Sequence, residues 1–414
     1  LVMAFTAASV SAEWKLNGAQ LGMLFSAGLF GMAAGSVALA PLADRWGRQR
    51  VTLLSLVLIS VGMVLSGFAS SVNQLALMRA VTGLGIGGML ASVTVIIGEY
   101  SSAKWRSTNI ALYTAGYPLG ATLGGLGAAW LLQHDGWRSV FIAGGIATAA
   151  MIPIVWLRLP ESVDYLLTRR PPDALARINR LLRQIGHAPL PQLPTQTTAS
   201  TVERGNVIVG LFRHGLARNT LMVWAAFFLL MFSFYFALSW TPKLLVTAGL
   251  STTQGITGGV LLNLGGIVGG VLFGALAVRV RLAKLTAFSL LMSALAMAAF
   301  AIGSGALSTA FAAAFAIGVF LFGAMAGLYG VAQAAYPAAL RGTGVGYAIG
   351  VGRLGAILAP MMAGLLLDGG WKPAGLYYTF ALPLILGAVA VMLAAAGRAA
   401  TDKAGIDEID GVTS

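Results

Sequence analysis

The chain has 414 residues, of which 58% are hydrophobic and only 9% charged, and its mean hydropathy is +0.84. Soluble domains carry about 25% charged residues, so this composition excludes a water-soluble enzyme and predicts a membrane protein. The chain has no Cys, and its three His are scattered, so disulfides, cysteine nucleophiles and metal sites are not expected. We expect no cofactor.

Long apolar runs predict membrane-spanning helices, because a helix needs about 20 residues to cross the hydrocarbon core. In chain order the predicted spans are 19–41, 51–71, 74–99, 107–132, 139–158, 219–241, 254–278, 285–305, 309–335, 343–367 and 374–397. A shorter apolar run at 1–12 precedes them. We therefore expect twelve helices in the whole fold, the first one truncated at its start in this chain.

The basic residues predict the orientation of these helices. Most Lys and Arg fall in alternate loops, while the other loops hold only Lys15, Arg138, Lys243 and Lys372. By the positive-inside rule, the central loop and the C-terminus are cytoplasmic, in a multi-pass protein of the bacterial inner membrane. The net charge of +13 then reflects topology and not nucleic-acid binding.

The two halves of the chain resemble each other at a single offset. Anchors of this repeat are Arg45 with Arg279, Arg106 with Arg341, and Trp137 with Trp371. A parallel repeat of six helices predicts the major facilitator architecture, with the substrate site between the halves. The predicted divisions are a bundle at 1–158, a central loop at 159–218, a bundle at 219–397 and a tail at 398–414. Within the central loop we expect an amphipathic helix at 172–186 that lies on the inner leaflet, followed by a flexible linker at 187–206.

The segment 41–50, PLADRWGRQR, places charges at the cytoplasmic end of a predicted span and turns the chain at Gly47. Such charges can bond to a neighbouring helix end and hold one conformation, or they can be ordinary topogenic charges. The predicted gating residues, all ionisable, are Asp44, Arg45, Arg48, Arg79, Glu99, Arg106 and Arg341. Arg79 could instead be an interfacial arginine whose side chain reaches toward water.

The segment 79–89, RAVTGLGIGGM, has closely spaced glycines that could suggest a dinucleotide-binding loop. Such a loop needs a preceding strand and a helix that begins at the glycines. Here the glycines lie within an apolar helical run. We therefore predict that they allow close helix packing.

Arg353 lies near the middle of a predicted span, where an arginine costs about 2.5–3.5 kcal/mol. The repeat aligns it with Pro118, and no carboxylate occupies the middle of any span. An unpaired central cation predicts an anionic substrate, unless the guanidinium bonds to helix carbonyls. Polar and aromatic side chains at comparable depth could complete the pocket: Tyr113, Tyr117, Tyr235, Trp240, Asn263 and Tyr329.

The sequence resembles the aromatic acid:proton symporter family of the major facilitators, which import benzoate-like carboxylates. The resemblance lies in SAGLFGMAAGSVALAPLADRWGR, RAVTGLGIGGM with GEYSS, YPLGATLGG, LPESVDYLL, ALSWTPKLL and YPAALRGTGVGYAIGVGRLGAILAP. It implies that Arg353 holds the substrate carboxylate. Family members carry an Asp-Gly-x-Asp element early in the first helix, and we expect this coupling carboxylate upstream of Leu1.

These features predict a monomeric secondary transporter that couples proton flow to uptake of an aromatic carboxylate by alternating access. Three alternatives stay open at this stage. The fold could import nicotinate or an aliphatic carboxylate, or it could export drugs or metabolites. A non-transporting membrane sensor is the third, although no effector module is recognisable in the loops.

Overall fold

The computed structural model describes residues 1–102, 105–184, 188–193, 209–212, 216–303 and 306–412. Within these residues, all fourteen regular elements are α-helices. The first eight are α1 (Val2–Trp14), α2 (Gly18–Trp46), α3 (Arg48–Gly67), α4 (Val72–Glu99), α5 (Arg106–His134), α6 (Gly136–Arg158), α7 (Val163–Arg169) and α8 (Ala174–Gln184). The remaining six are α9 (Leu216–Thr247), α10 (Thr252–Ala277), α11 (Leu282–Gly303), α12 (Leu307–Ala335), α13 (Ala338–Asp368) and α14 (Pro373–Val412).

These helices confirm the predicted all-α membrane fold. Among the described residues, ten of them are long and apolar enough to cross a membrane. Helix α1 has only 13 residues and is not one of the ten. Helix α5, predicted as a span, has 29 residues but is also not one of the ten, because its many Gly, Tyr and Thr lower its mean hydropathy.

The chain folds into two compact units. The larger unit comprises Leu1–Ser26, Ala115–Val140 and Val202–Ser414, and the smaller unit comprises Ala27–Thr114 and Phe141–Thr201. The predicted division into bundles at 1–158 and 219–397 stays a prediction.

In the larger unit, glycines bring helices into backbone contact. A Cβ on Gly318 of α12 would overlap the carbonyl of Leu262 on α10, and a Cβ on Gly269 would overlap the carbonyl of Val319. Lipid provides no hydrophobic drive for helices to associate, so close packing of this kind stabilises them instead. Helix α9 packs in the same unit against α13 and α14.

The C-terminal end of α1 is attached to the start of α6. The Glu13 carboxylate accepts hydrogen bonds from Arg138 Nη1 at 2.7 Å and Trp137 Nε1 at 2.6 Å. These bonds hold the pKa of Glu13 below its ordinary value, with the bond from Arg138 contributing most. The ring of Trp14 meets Trp137 edge to face.

In the smaller unit, the predicted packing role of the 79–89 glycines agrees with the contacts between α2, α3 and α4. A Cβ on Gly83 would overlap the carbonyl of Gly28, and one on Gly87 would overlap the carbonyl of Met32. On the other side of α4, a Cβ on Gly85 would lie 2.6 Å from the carbonyl oxygen of Ser55. Helix α4 therefore packs closely against α2 and α3.

The sequence predicted that the apolar face of the amphipathic helix, α8, lies on the inner leaflet. In the structure, Ile178 of α8 is buried with Ala174 and with Leu166 of α7. Part of this face therefore packs against α7, and the place of the helix on the inner leaflet stays a prediction. Of the predicted linker 187–206, only residues 188–193 fall within the described part of the chain.

Candidate substrate site

Arg353 lies on α13 between two glycines that bring this helix against α9. A Cβ on Gly352 would lie 2.7 Å from the sulfur of Met231, and one on Gly355 would lie 2.5 Å from the carbonyl oxygen of Phe228. The guanidinium Nη1 donates a long hydrogen bond of 3.4 Å to the Tyr235 hydroxyl on α9. Close packing thus fixes the backbone that carries the arginine and leaves its side chain partly exposed.

Two further predicted tyrosines lie within electrostatic reach of Arg353: Tyr117 on α5 and Tyr329 on α12. Tyr117 is 46% exposed, and Phe227 meets Tyr329 edge to face with ring centroids 5.4 Å apart. Among the described residues, no carboxylate oxygen lies within 4.0 Å of the guanidinium. The site therefore combines one cation, three phenols and apolar rings.

The other predicted pocket residues are placed differently. Trp240 is fully buried, and its Nε1 donates to the Pro360 carbonyl at 3.2 Å. Asn263 is also buried, and its Nδ2 donates to the Gly259 carbonyl at 2.8 Å. Both side chains are packed into the protein, as structural residues are, while Asn263 Oδ1 has no hydrogen-bond partner among the described residues.

Tyr113 belongs to the smaller unit. It lies on the first part of α5, with its hydroxyl near Thr94 of α4. With Tyr100, Asn109 and Leu112 it lines an open cleft of about 390 Å³. This cleft lies within the smaller unit, so Tyr113 contributes to a surface of that unit.

The predicted gating residues Asp44, Arg48 and Glu99 form one charge cluster in the smaller unit. Arg48 lies 3.5 Å from the Asp44 carboxylate and 3.9 Å from the Glu99 carboxylate. Glu99 accepts hydrogen bonds from Ser162 Oγ and from the backbone N–H of Val163, both at 2.8 Å. Glu99 thus binds the first turn of α7, where the central loop leaves the membrane helices.

Glu161 completes this cluster, and sequence reasoning missed it as a site residue. Its Oε1 accepts from the backbone N–H groups of Arg48 at 2.6 Å, Gln49 at 3.1 Å and Ser162 at 2.9 Å. Gly47, which turns the chain as predicted, has φ +100°, and a Cβ there would overlap the Glu161 carboxylate. The signal in the sequence was an acidic residue directly before Ser162, a helix N-cap.

Tyr100 fixes the backbone of Glu161. Its hydroxyl donates to the Glu161 carbonyl at 2.7 Å. Burial, with the nearby charges of Glu99 and Glu161, raises the pKa of Tyr100 to about 12. The phenol therefore stays a neutral donor at physiological pH.

Arg79 on α4 is buried at 8% exposure. Its Nη1 lies 3.6 Å from the Met63 sulfur, and its guanidinium carbon lies 5.8 Å from the centroid of the Phe141 ring. Its Nε has no hydrogen-bond partner among the described residues. The side chain is therefore enclosed in protein, which argues against the alternative of an interfacial arginine.

The remaining predicted gating arginines carry less information. Arg45 and Arg341 are exposed. The side chain of Arg106 lies outside the described part of the chain, although its backbone begins α5. The Asp44–Arg48–Glu99–Glu161 group thus holds most of the charge contacts at this end of the smaller unit.

Comparison with known proteins identifies the family of this chain. The family model described as Major Facilitator Superfamily matches residues 1–360. The chain belongs to the Major Facilitator Superfamily. It is therefore a membrane transporter and not an enzyme, as the sequence predicted.

Several facilitators with known names are similar over nearly the whole chain. The gallate transporter of Pseudomonas putida is 31% identical, with 94% of this chain and 87% of that protein aligned. The 4-hydroxybenzoate transporter PcaK of Pseudomonas aeruginosa is 30% identical over the same shares. The niacin transporter NiaP of Acinetobacter baylyi is 30% identical over 95% of this chain and 89% of that protein. These relatives confirm the resemblance to aromatic acid transporters.

A solved facilitator structure has the same fold. The xylose transporter XylE from E. coli aligns with a TM-score of 0.71 at 17% identity, covering 94% of this chain and 91% of that chain. At this identity, the likeness concerns the fold alone.

Proposed function

We propose that this facilitator takes up an aromatic monocarboxylate and that Arg353 binds the carboxylate. The observation that carries the proposal is a guanidinium in a membrane-spanning helix with one long hydrogen bond and no carboxylate nearby among the described residues. A planar guanidinium matches a carboxylate with two parallel hydrogen bonds. Tyr117, Tyr235 and Tyr329 would contact the ring and supply hydroxyl groups for polar substituents.

The names of the relatives support a flat, ring-bearing anion. Gallate, 4-hydroxybenzoate and niacin differ in their substituents and ring atoms. Each is a small molecule, so a single arginine and a few tyrosines would be enough to bind it. Uptake would be driven by protons that move inward with the substrate, and the transporter would act as a monomer.

The loop charges support an orientation in the bacterial inner membrane with the central loop and the C-terminus in the cytoplasm. The cluster of Asp44, Arg48, Glu99 and Glu161 would then lie at the cytoplasmic end. We propose that it stabilises one conformation of the transport cycle by binding helix ends. We propose that Arg79, which is buried in the smaller unit, also takes part in this conformational change.

Uptake of labelled 4-hydroxybenzoate into proteoliposomes, driven by an acidic exterior, tests the proposal. Replacing Arg353 by Ala should reduce uptake by about a hundredfold, because losing one partner of a buried charge pair costs about 2–5 kcal/mol. The Arg353→Lys variant keeps the charge but loses the planar fork, so it should retain only part of the activity. Arg281→Ala, at an exposed loop arginine, is the matched control and should transport normally.

Ligand binding to the purified protein separates the alternatives, because a ligand that binds the native state raises its melting temperature. Benzoate should stabilise the protein, whereas benzamide, which has the same shape without the charge, should not. Equal stabilisation by cyclohexanecarboxylate would contradict the aromatic part of the proposal. Substrate extrusion under the same pH gradient would instead identify an exporter.

A further inference from the structure

The first part of α2 and helix α13, both in the larger unit, meet along a face of small residues, here called the α2–α13 seam. On α2 the seam consists of Gly18, Gly22 and Ser26, which lie on one face because they are four residues apart. A Cβ on Gly364 of α13 would overlap the carbonyl of Gly18, and a Cβ on Gly22 would lie 2.5 Å from the Pro360 carbonyl oxygen. The two backbones are therefore in direct contact.

Two side-chain donors bond to backbone carbonyls of α13 near Pro360. A carbonyl oxygen has two lone pairs, so it can accept a second hydrogen bond within a helix. Ser26 Oγ donates to the Ile357 carbonyl at 2.6 Å, and Trp240 Nε1 donates to the Pro360 carbonyl. Trp240 also meets Phe25 of α2 edge to face. Trp240 thus packs behind the seam.

A carboxylate holds one end of the seam. Asp368, the last residue of α13, accepts a hydrogen bond from Gly18 N at 2.6 Å through Oδ1 and one from Ala19 N at 2.8 Å through Oδ2. Gly18 and Ala19 are the first residues of α2, where the helix dipole favours negative charge. Among the described contacts of the seam, these two bonds are the ones in which a charged side chain takes part.

The other end of the seam lies beside the substrate site. Ile357 is one helical turn from Arg353 on α13. From Arg353 to Asp368 the helix rises about 22 Å. The seam therefore covers the part of α13 that lies between Arg353 and the last residue of the helix, Asp368.

We propose that Asp368 is a positioning residue that keeps the α2–α13 seam closed, and that release of its bonds to α2 opens the path to Arg353 from that side. The seam contacts among the described residues join small residues to backbone carbonyls. Two charge-assisted bonds at the tip then contribute much of the preference for the closed arrangement. The proposal depends on the proposed function only for the role of Arg353 as the ligand-binding residue.

Cysteine labelling tests this proposal, because the chain has no Cys of its own. Ile357→Cys introduces a single reporter in the seam and leaves intact the backbone carbonyl that Ser26 uses. Membrane-impermeant maleimide is added to right-side-out and to inside-out vesicles. The Asp368→Asn variant should label about five- to tenfold faster, and only from the Asp368 side, since losing a helix cap shifts an equilibrium by that order.

Three controls make the result specific. Asp368→Glu should restore slow labelling, because it keeps the carboxylate. Asp135→Asn removes an exposed charge near the end of α5 and should leave the labelling rate unchanged. A reporter at Leu290, fully buried in α11, should stay unreactive in every variant, which excludes general unfolding.

A steric variant keeps the test decisive if the charge effect is small. Gly364→Val places a side chain against the Gly18 carbonyl and should also accelerate labelling from the Asp368 side. Unchanged labelling in both Asp368→Asn and Gly364→Val would overturn the proposal. This assay uses no substrate, so its failure is distinct from a failure of the aromatic carboxylate assignment.

Discussion

Glu161 of the smaller unit and Arg353 of the larger unit show two ways of placing a charge. Glu161 is 6% exposed and accepts three backbone N–H bonds of 2.6 to 3.1 Å. Arg353 is partly exposed and makes one hydrogen bond, of 3.4 Å, to the part of the chain that the structure describes. A charge that is satisfied by the chain stabilises the fold, whereas a charge that is left with donors to spare can bind a ligand.

Arg79 combines features of both residues. It is enclosed like Glu161, yet its Nε has no partner among the described residues, so its hydrogen bonding is incomplete like that of Arg353. A charge within a membrane helix costs about 2.5–3.5 kcal/mol. We therefore infer that Arg79 contributes to the conformational change and not to the stability of this state.

Removing Glu161 should have the largest effect on stability. In Glu161→Ala, the first N–H groups of α3 lose their acceptor, and we expect the free energy of unfolding to fall by about 2–4 kcal/mol. Thermal unfolding of the detergent-solubilised protein measures this loss. Asp164→Ala is the control, because Asp164 is exposed in the first turn of α7. An equal loss in both variants would contradict the capping role.

The contacts of Glu161 also explain what the sequence could not predict about the fold. Apolar runs predicted α10 at 254–278, and the helix is Thr252–Ala277. For α3, however, the prediction was 51–71 and the helix is Arg48–Gly67. Its early start depends on an acceptor more than a hundred residues further along the chain. Local hydropathy contains no information about such a cap.

The sequence predicted how deep the site residues lie along their helices, but it did not predict which way each side chain faces. Arg353 stood out because an arginine in the middle of a span is costly. Tyr235 and Trp240 lie at neighbouring depths on α9, yet Tyr235 meets Arg353 and Trp240 meets Pro360. Helix rotation decides between these roles, and α9 is apolar on all sides, so its sequence pattern does not give the rotation.

Replacing Arg79 should separate stability from transport. In Arg79→Met the buried, incompletely bonded guanidinium is lost, so the melting temperature should stay equal or rise. Uptake should nevertheless fall by about tenfold, as expected when a residue that couples two conformations is removed. Parallel thermal unfolding and proteoliposome uptake provide both values. Full uptake by a stable Arg79→Met protein would show that Arg79 has no part in transport.

The smallest effect should come from Tyr235→Phe, which removes the hydroxyl that accepts the bond from Arg353. The guanidinium would become freer, yet a substrate would lose a hydrogen-bonding neighbour worth about 1 kcal/mol, so we expect about fivefold weaker binding of 4-hydroxybenzoate. Calorimetric titration of the purified protein gives the dissociation constant. Tyr347→Phe is the control, because Tyr347 on the same α13 stacks on Trp224. If binding is unchanged in Tyr235→Phe but lost in Arg353→Ala, the substrate contacts the arginine without this phenol, and the ring must lie toward Tyr117 and Tyr329.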